Sequence, residues 1–330
     1  MPKKLLIPII GLLLAAVGGW GFFQKFQIKG LKDLAIETRE PTETSGSGGQ
    51  MMNLPPVQRT GETIRVASFN IQVFGTSKSS KPHVMERLAI IVREFDIVAI
   101  QEIRSTDNGI IPRFVDLINS AGRRYDYVVG PRLGRSNSKE QYAFIFDTQS
   151  VEIYHRQLYT VDDPDDMLHR EPLVGWFRVR GPNPSDAFTF SLVNIHTDPD
   201  ETDEELDAMD DVFLAVQNDG RQEDDVIILG DLNVDDRNLG ELGRLQNIAW
   251  CISGIPTNTR RTKLYDNIVY SSRATTEFTG RAGVYDFMHK FNLTEQEALE
   301  ISDHLPVWAE FSIYEGGVPG RMATQPVMPR

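Results

Sequence analysis

A series of short segments places polar side chains directly after apolar runs: Ser68-Phe69-Asn70-Ile71, Gln101-Glu102, Lys139-Glu140-Gln141-Tyr142, Asn194-Ile195-His196, Gly230-Asp231-Leu232-Asn233, Tyr265-Asp266-Asn267 and Ser302-Asp303-His304-Leu305-Pro306. Each polar group falls where a strand leaves a packed sheet and meets solvent. Carboxylates, side-chain amides and two imidazoles are the inventory for hydrolysing a phosphodiester with a divalent metal. That reaction needs a water aimed at phosphorus, stabilisation of charge on the equatorial oxygens, and a proton or metal for the leaving oxygen. Carboxylates and Asn amides suit Mg²⁺, a hard ion that prefers oxygen. His196 and His304 are the natural proton carriers near neutral pH, provided a partner fixes each tautomer.

Each signal has a plainer rival when taken alone. Asp231 and Asn233 follow Val226 to Leu229, so a period of two puts both on one face at a strand end, but a turn satisfying its own backbone reads the same way. Asp303 joins a helix-like segment to the last strand and is equally readable as a cap. Glu102 ends an apolar strand, where a charge must be paired or ligated unless it lies just past the buried part. Asn70, Glu140, His196 and Asp266 are individually weak signals, and only their joint occurrence separates the readings.

The elements that must position these groups are strands alternating irregularly with helices. The runs 64–71, 97–101, 125–129, 142–146, 151–159, 174–179, 188–195, 226–229, 267–270 and 306–313 are rich in β-branched and aromatic residues and predict strands. Val84, Leu88, Ile91 and Phe95 mark one helix by their spacing, and Leu206, Met209, Phe213 and Val216 another. This pattern predicts an α/β fold, a four-layered α/β sandwich of two packed mixed β-sheets flanked by helices. The acidic run Asp198 to Asp211 reads as a solvated helix face, and Asp162 to Asp166 as an exposed loop.

The chain has 330 residues, 40% of them hydrophobic, and a net charge of −13. That length permits a sizeable core. That charge excludes a protein that coats nucleic acid nonspecifically, but not an enzyme that visits a phosphate backbone with the help of a metal ion. Cys251 is the only cysteine, so no intramolecular disulfide forms. Residues 1–36 read as an N-terminal membrane anchor with its juxtamembrane segment, because Leu5 to Phe23 is uncharged and would span about 28 Å as a helix. A cleaved signal peptide is the competing reading, and either sends the remainder out of the cytoplasm. Residues 37–60, rich in Ser, Gly, Thr and Pro, read as a flexible linker, 61–315 as the folded catalytic domain, and 316–330 as a disordered tail.

Taken together and in this order, the motifs resemble the deoxyribonuclease I branch of the endonuclease/exonuclease/phosphatase superfamily, from about Ile64 to Phe311. Ala67 to Gly75 resembles its first strand, and Gln101-Glu102-Ile103-Arg104 its metal-binding Glu segment. Ser138 to Tyr142 and Arg170-Glu171-Pro172 resemble this branch more than the wider superfamily. The resemblance implies two carboxylate–imidazole pairs, Glu140 with His196 and Asp266 with His304. It implies Glu102, Asp231, Asp303 and Asn70 as holders of Mg²⁺ or Mn²⁺, and Asn233, Arg170 and Arg104 as substrate contacts. The implied activity is hydrolysis of DNA to 5′-phosphate products by a monomer, with His304 as base and His196 as acid and no protein partner evident. Hydrolysis of sphingomyelin, a phosphoinositide or abasic DNA on the same fold, or a non-catalytic tethered head, are the alternatives. Three departures stand out. Ser138 replaces a tyrosine that grips the minor groove, the segment 250–263 is shorter than the calcium-binding loop of pancreatic members, and their paired cysteines are missing. Structural Ca²⁺ is therefore not expected.

Overall fold

The computed structural model describes residues 61–135 and 139–317, together with two short strands at Gln27–Ile28 and Glu37–Thr38. The strands are β1 Thr63–Phe74, β2 Ile97–Ile103, β3 Tyr125–Val129, β4 Gln141–Asp147, β5 Val151–Ile153, β6 Tyr159–Asp162, β7 Leu173–Val179, β8 Thr189–His196, β9 Val226–Asp231, β10 Ile248–Trp250, β11 Asp266–Ser271, β12 Phe278–Val284 and β13 Val307–Ser312. The main helices are α1 Pro82–Val92, α2 Ile110–Asn119, α3 Thr202–Gln217 and α4 Glu295–Ile301.

One sheet runs β12-β13-β1-β2-β4-β3, and the other β6-β7-β8-β9-β11-β10 with β5 beside β7. Each is mixed, with one parallel pair at its centre, β1 on β2 and β8 on β9, and antiparallel neighbours. Three apolar clusters define four layers. α1, α2 and α4 pack on the outer face of the first sheet through Leu88, Phe114, Ile301 and Phe69. The two sheets meet through Phe144, Phe177, Phe190, Leu229 and Phe311, and α3 covers the second sheet with Leu206, Met209 and Phe213. This is the sandwich the sequence predicts. Because these strands are buried on both faces, their runs are continuously apolar rather than alternating.

Local signals account for the helix ends. Pro82 opens α1, where its missing N–H costs nothing. Thr294 and Glu297 form a reciprocal capping box on α4, and Asp203, Glu204 and Glu205 crowd the first turn of α3. Several elements differ from the sequence expectation. The single run expected over 151–159 is two strands, because a 3₁₀ turn at His155–Gln157 breaks it. β12 was hidden by Gly280, Gly283 and a polar composition, β10 by its three-residue length, and α2 by Pro112 in its first turn. Glu205, assigned to a solvated face, is 1% exposed.

Among the described residues no helix is long and apolar enough to cross a membrane. The anchor expected at Leu5 to Phe23, nearly all of the linker, and the tail from 318 lie outside the described residues. Within the segments read as juxtamembrane and linker, Gln27–Ile28 pairs with β6 and Glu37–Thr38 with β3, so strand pairing begins earlier than composition implies.

Candidate active site

The groups singled out above meet at one rim, where the central strands of both sheets end. Parallel pairing sets Asn70 of β1 beside Gln101 of β2, and His196 of β8 beside Asp231 of β9, while antiparallel pairing sets Asp231 against Asp266 of β11. The two sheets are locked together just beneath this rim. Gln101 donates through Nε2 to Asn194 Oδ1 at 2.7 Å, and Asn194 Nδ2 donates to the Ile100 and Ala143 carbonyls at 3.2 and 3.1 Å. A buried polar network satisfied this fully fixes register as well as position.

Gly230 has a specific packing reason. A Cβ there would lie 1.9 Å from the Ile195 carbonyl oxygen, so only glycine lets β8 and β9 approach at the step before His196 and Asp231. On the other sheet the β1–β2 register shifts between Asn70 and Phe74. Gln72, Val73 and Glu102 all have positive φ, at 36°, 50° and 59°, and Asn233 sits at 53°. For β-branched Val73, also 51% exposed, such a conformation is strained and must be held by its surroundings. Its N–H donates to Glu102 Oε2 at 2.8 Å, so the bulge aims Glu102 inward.

Two carboxylate–imidazole pairs result. His196 Nδ1 lies 2.7 Å from Glu140 Oε1, and His304 Nδ1 lies 2.9 Å from Asp266 Oδ2. In each pair the ring is oriented by its Nδ1 bond, leaving Nε2 to face the site. Both Nε2 atoms converge on one oxygen, Asp231 Oδ2, at 3.5 Å from His196 and 3.4 Å from His304. Asn70 Nδ2 donates to the same oxygen at 3.0 Å and to Glu102 Oε1 at 3.2 Å, joining the two carboxylates. Asn233 N–H caps Asp231 Oδ1 at 3.0 Å, and its side chain donates to the Thr197 carbonyl at 2.8 Å.

The remaining residues ring this centre. Arg170, 6% exposed, reaches Glu140 Oε1 at 3.2 Å and the His196 carbonyl at 3.1 Å, so in this structure it braces the first pair from behind. Arg104 bridges Glu102 at 3.2 Å and Glu140 at 3.6 Å. Asp303 is the outlier, with its side chain 43% exposed and Oδ1 3.9 Å from His304 Nε2. It caps no helix, since Ser302 ends α4 and the next element is β13. Ser138 lies outside the described residues.

Burial alone would discharge both imidazoles, yet Glu140 and then Asp231 hold His196 above its ordinary value, and Asp266 and Asp231 hold His304 well above it. Asp231 is driven up by its own burial; His304 opposes that rise and Asp266 adds to it. Burial also works to raise Glu102, but His196, Arg104, the Val73 N–H and Asn70 outweigh it and keep the carboxyl below its usual range.

A divalent cation fits this donor set. Glu102 and Asp231 offer hard oxygens, and the buried Asp303 Oδ1 has no hydrogen-bond partner, whereas Asn70 turns Nδ2 to both carboxylates and engages Oδ1 with the Gln72 N–H at 2.9 Å, so it would ligate only with its amide turned over. Among the described residues of the rim, ligand-type atoms of Asp231, Asp266 and His304 also lie within 4.8 Å of one another. Because Asp266 is already engaged by His304 and by the Thr257 hydroxyl at 2.7 Å, its geometry suits an orienting carboxylate better than a ligand.

Sequence reasoning missed three supports. Thr257, in an irregular loop with no motif around it, also receives the Tyr265 and Asp266 N–H groups at 2.9 and 3.1 Å. Tyr142, already inside a quoted motif, accepts the His196 N–H at 2.9 Å. Lys78 donates to the Ile71 and Ile301 carbonyls at 2.7 and 2.6 Å, and burial lowers it to about 8 against the pull of Asp303 and Glu102. Arg260 and Arg261, close to Asp266 in the chain, pair with Glu295 and Asp286.

Residues 67–304 match the Endonuclease/Exonuclease/phosphatase family. Among curated proteins, Deoxyribonuclease gamma of Rattus norvegicus is 32% identical over 262 residues, covering 74% of this chain and 83% of that protein. Deoxyribonuclease-1-like 1 of Bos taurus is 35% identical over 266 residues, covering 76% and 82%. Among solved structures, a humanized D. rerio TDP2 bearing 14 mutations superposes with a TM-score of 0.52 at 12% identity, over 76% of this chain and 99% of that one. That likeness concerns the fold alone.

Proposed function

The chain belongs to the endonuclease/exonuclease/phosphatase family, as a phosphodiester hydrolase of its deoxyribonuclease I-like branch, and from that premise we propose that it is a divalent-metal-dependent endonuclease cutting DNA to 5′-phosphate products. The observation that carries the reading is the pair of imidazoles, each tethered at Nδ1 to a buried carboxylate and each turning Nε2 toward one oxygen of Asp231. Two proton carriers facing a shared point can serve opposite sides of a phosphorus atom.

In the proposed reaction His304, after releasing the proton that Asp266 and Asp231 favour on it, accepts a proton from the attacking water, and Asp266 stabilises the imidazolium that forms again. The new P–O bond forms as the P–O3′ bond breaks. His196, kept protonated by Glu140, gives its proton to the departing 3′ oxygen, leaving a 3′ hydroxyl and a 5′ phosphate. Mg²⁺ or Mn²⁺, when bound, supplies positive charge for the phosphate oxygens and the leaving group. Glu102, Asp231, Asp303 and Asn70 are the residues to hold it. Asn233 orients the scissile phosphate, Arg104 contacts DNA from the Glu102 edge, and Arg170 takes a phosphate contact only if it leaves Glu140. The reading also carries a placement outside the cytoplasm by the 1–36 anchor, supported by the uncharged run Leu5 to Phe23. A mature N-terminus near Gly19 would show cleavage instead.

The test incubates the full chain with supercoiled plasmid, sphingomyelin and a phosphoinositide, each with Mg²⁺ or EDTA. Nicking of the plasmid that EDTA abolishes, with ends that a 5′-phosphate-requiring ligase reseals, is expected. Hydrolysis of a lipid with intact plasmid would replace this reading by its same-fold alternative.

A further inference from the structure

A second group of acidic side chains gathers far from the rim. Asp225 immediately precedes β9, whose other end carries Asp231, so about 20 Å of extended strand separates it from the active site. Oxygens of Asp225, Glu277 and Glu315 lie within 4.8 Å of one another. They come from different parts of the sandwich. Asp225 leads into the second sheet, Glu277 leads into β12 of the first, and Glu315 follows β13. Asp225 and Glu277 are 1% and 2% exposed, whereas Glu315 is open to solvent.

An acidic cluster alone means little, but this one contains polar atoms with no other use. Asp225 Oδ1 and Glu277 Oε2 are buried and have no hydrogen-bond partner, and the buried Thr275 hydroxyl faces the Asp225 carboxyl. Their neighbours are committed: Gly316 N–H donates to Glu277 Oε1 at 2.5 Å, and Thr189 N–H to Glu315 Oε2 at 3.1 Å. The charged groups acting most strongly on these carboxyls are one another, Glu223 and Asp224, all acidic. Burying like charges without a counter-ion is costly, and a bound cation or captured protons must offset it.

We propose that Asp225, Glu277 and Glu315, with the Thr275 hydroxyl, form a binding site for a calcium ion that staples the two sheets at the end opposite the active site. Oxygen-only donors exclude soft metals. Carboxylates from three separate segments, plus a hydroxyl and an open solvent side, suit the larger and less regular shell of Ca²⁺ better than the strict octahedron of Mg²⁺. The site is distinct from the 250–263 loop, whose shortness led the sequence reading to expect no structural Ca²⁺. Burial and then Glu277 push the Asp225 carboxyl to about 9, and burial pushes Glu277 to about 7. Protons therefore compete with the ion, and calcium uptake at neutral pH releases them.

The test uses the full chain carrying Glu102→Gln and Asp231→Asn, which silence the catalytic carboxylates, at pH 8 with calcium alone as probe. One equivalent of Ca²⁺ should bind by calorimetry, and at a hundredfold excess over Kd the melting temperature should rise by about 5–10 °C. Mg²⁺ at the same concentration should give a smaller rise. Adding Glu277→Gln, or the exposed Glu315→Gln if the first fails to fold, should remove most of the calcium response. No calcium heat and no rise in the parent, or an undiminished rise in the variant that folds, would overturn the site and leave proton capture as what offsets the buried charge.

Discussion

At the residue scale, catalysis depends on how two imidazoles are held. Replacing His196 or His304 by alanine should each lower the nicking rate at least about 100-fold, the usual scale for a proton-transfer group. The partners make a sharper test. Glu140 raises the His196 value, and His196 as the acid works only while protonated. Glu140→Gln should therefore move the alkaline limb of the pH–rate profile to lower pH, and an unmoved limb would remove His196 from the donor role. The pairings themselves were not derivable from spacing, because Glu140 and His196 are joined only by the packing of β4 and β8 from opposite sheets. They came from the resemblance. Thr257 had no signal at all, since a threonine in an irregular loop looks like any other until the loop folds back on Asp266. Asp303 shows the converse, being legible as a motif but left partly outside the cluster.

At the element scale the rim is built by a close approach on one sheet and a bulge on the other. Gly230→Ala should force β8 and β9 apart and lower stability by more than about 3 kcal/mol, because the clash is with backbone and no side-chain rotation relieves it. A thermal melt checks this, and an unchanged Tm would mean the strands tolerate separation. Strands buried on both faces were legible because a short, continuously apolar run that is rich in β-branched residues must be covered on both sides. Elements that fail this rule, β10, β12 and α2, were not. β12 lies at a sheet edge with two glycines, and its pairing to β13 rather than its own propensity makes it a strand. Glu205 shows how a charge pattern misleads: helical spacing puts it among acidic neighbours, but its carboxylate turns in to accept the Asp198 N–H at 3.0 Å, and burial lifts it to about 7.

At the scale of the whole molecule, one end of the sandwich carries the chemistry and the other carries buried acid. Stability should reflect this in the absence of divalent ions. Asp225 has a folded value of about 9 against about 4 for an unfolded aspartate, so the folded state holds a proton that the unfolded chain releases. Its stabilising contribution is full below about pH 4 and is lost as pH rises through about 9. Melting in EDTA should therefore fall from pH 6 to pH 9 more steeply in the parent than in Asp225→Asn, and equal slopes would deny Asp225 that role. The layered architecture followed from the irregular alternation of strands and helices, whereas the contact of Asp225 with Glu277 and Glu315 depends on how the two sheets are set face to face. Whether the converged rim is a metal-dependent DNA-cutting centre is decided by timing the conversion of supercoiled to relaxed plasmid by the full chain and by His304→Ala, side by side in Mg²⁺ and in EDTA. Rapid relaxation by the parent in Mg²⁺ alone, with the variant slower by about 100-fold or more, is the expected result; equal rates for the two proteins, or nicking that persists in EDTA, would contradict it.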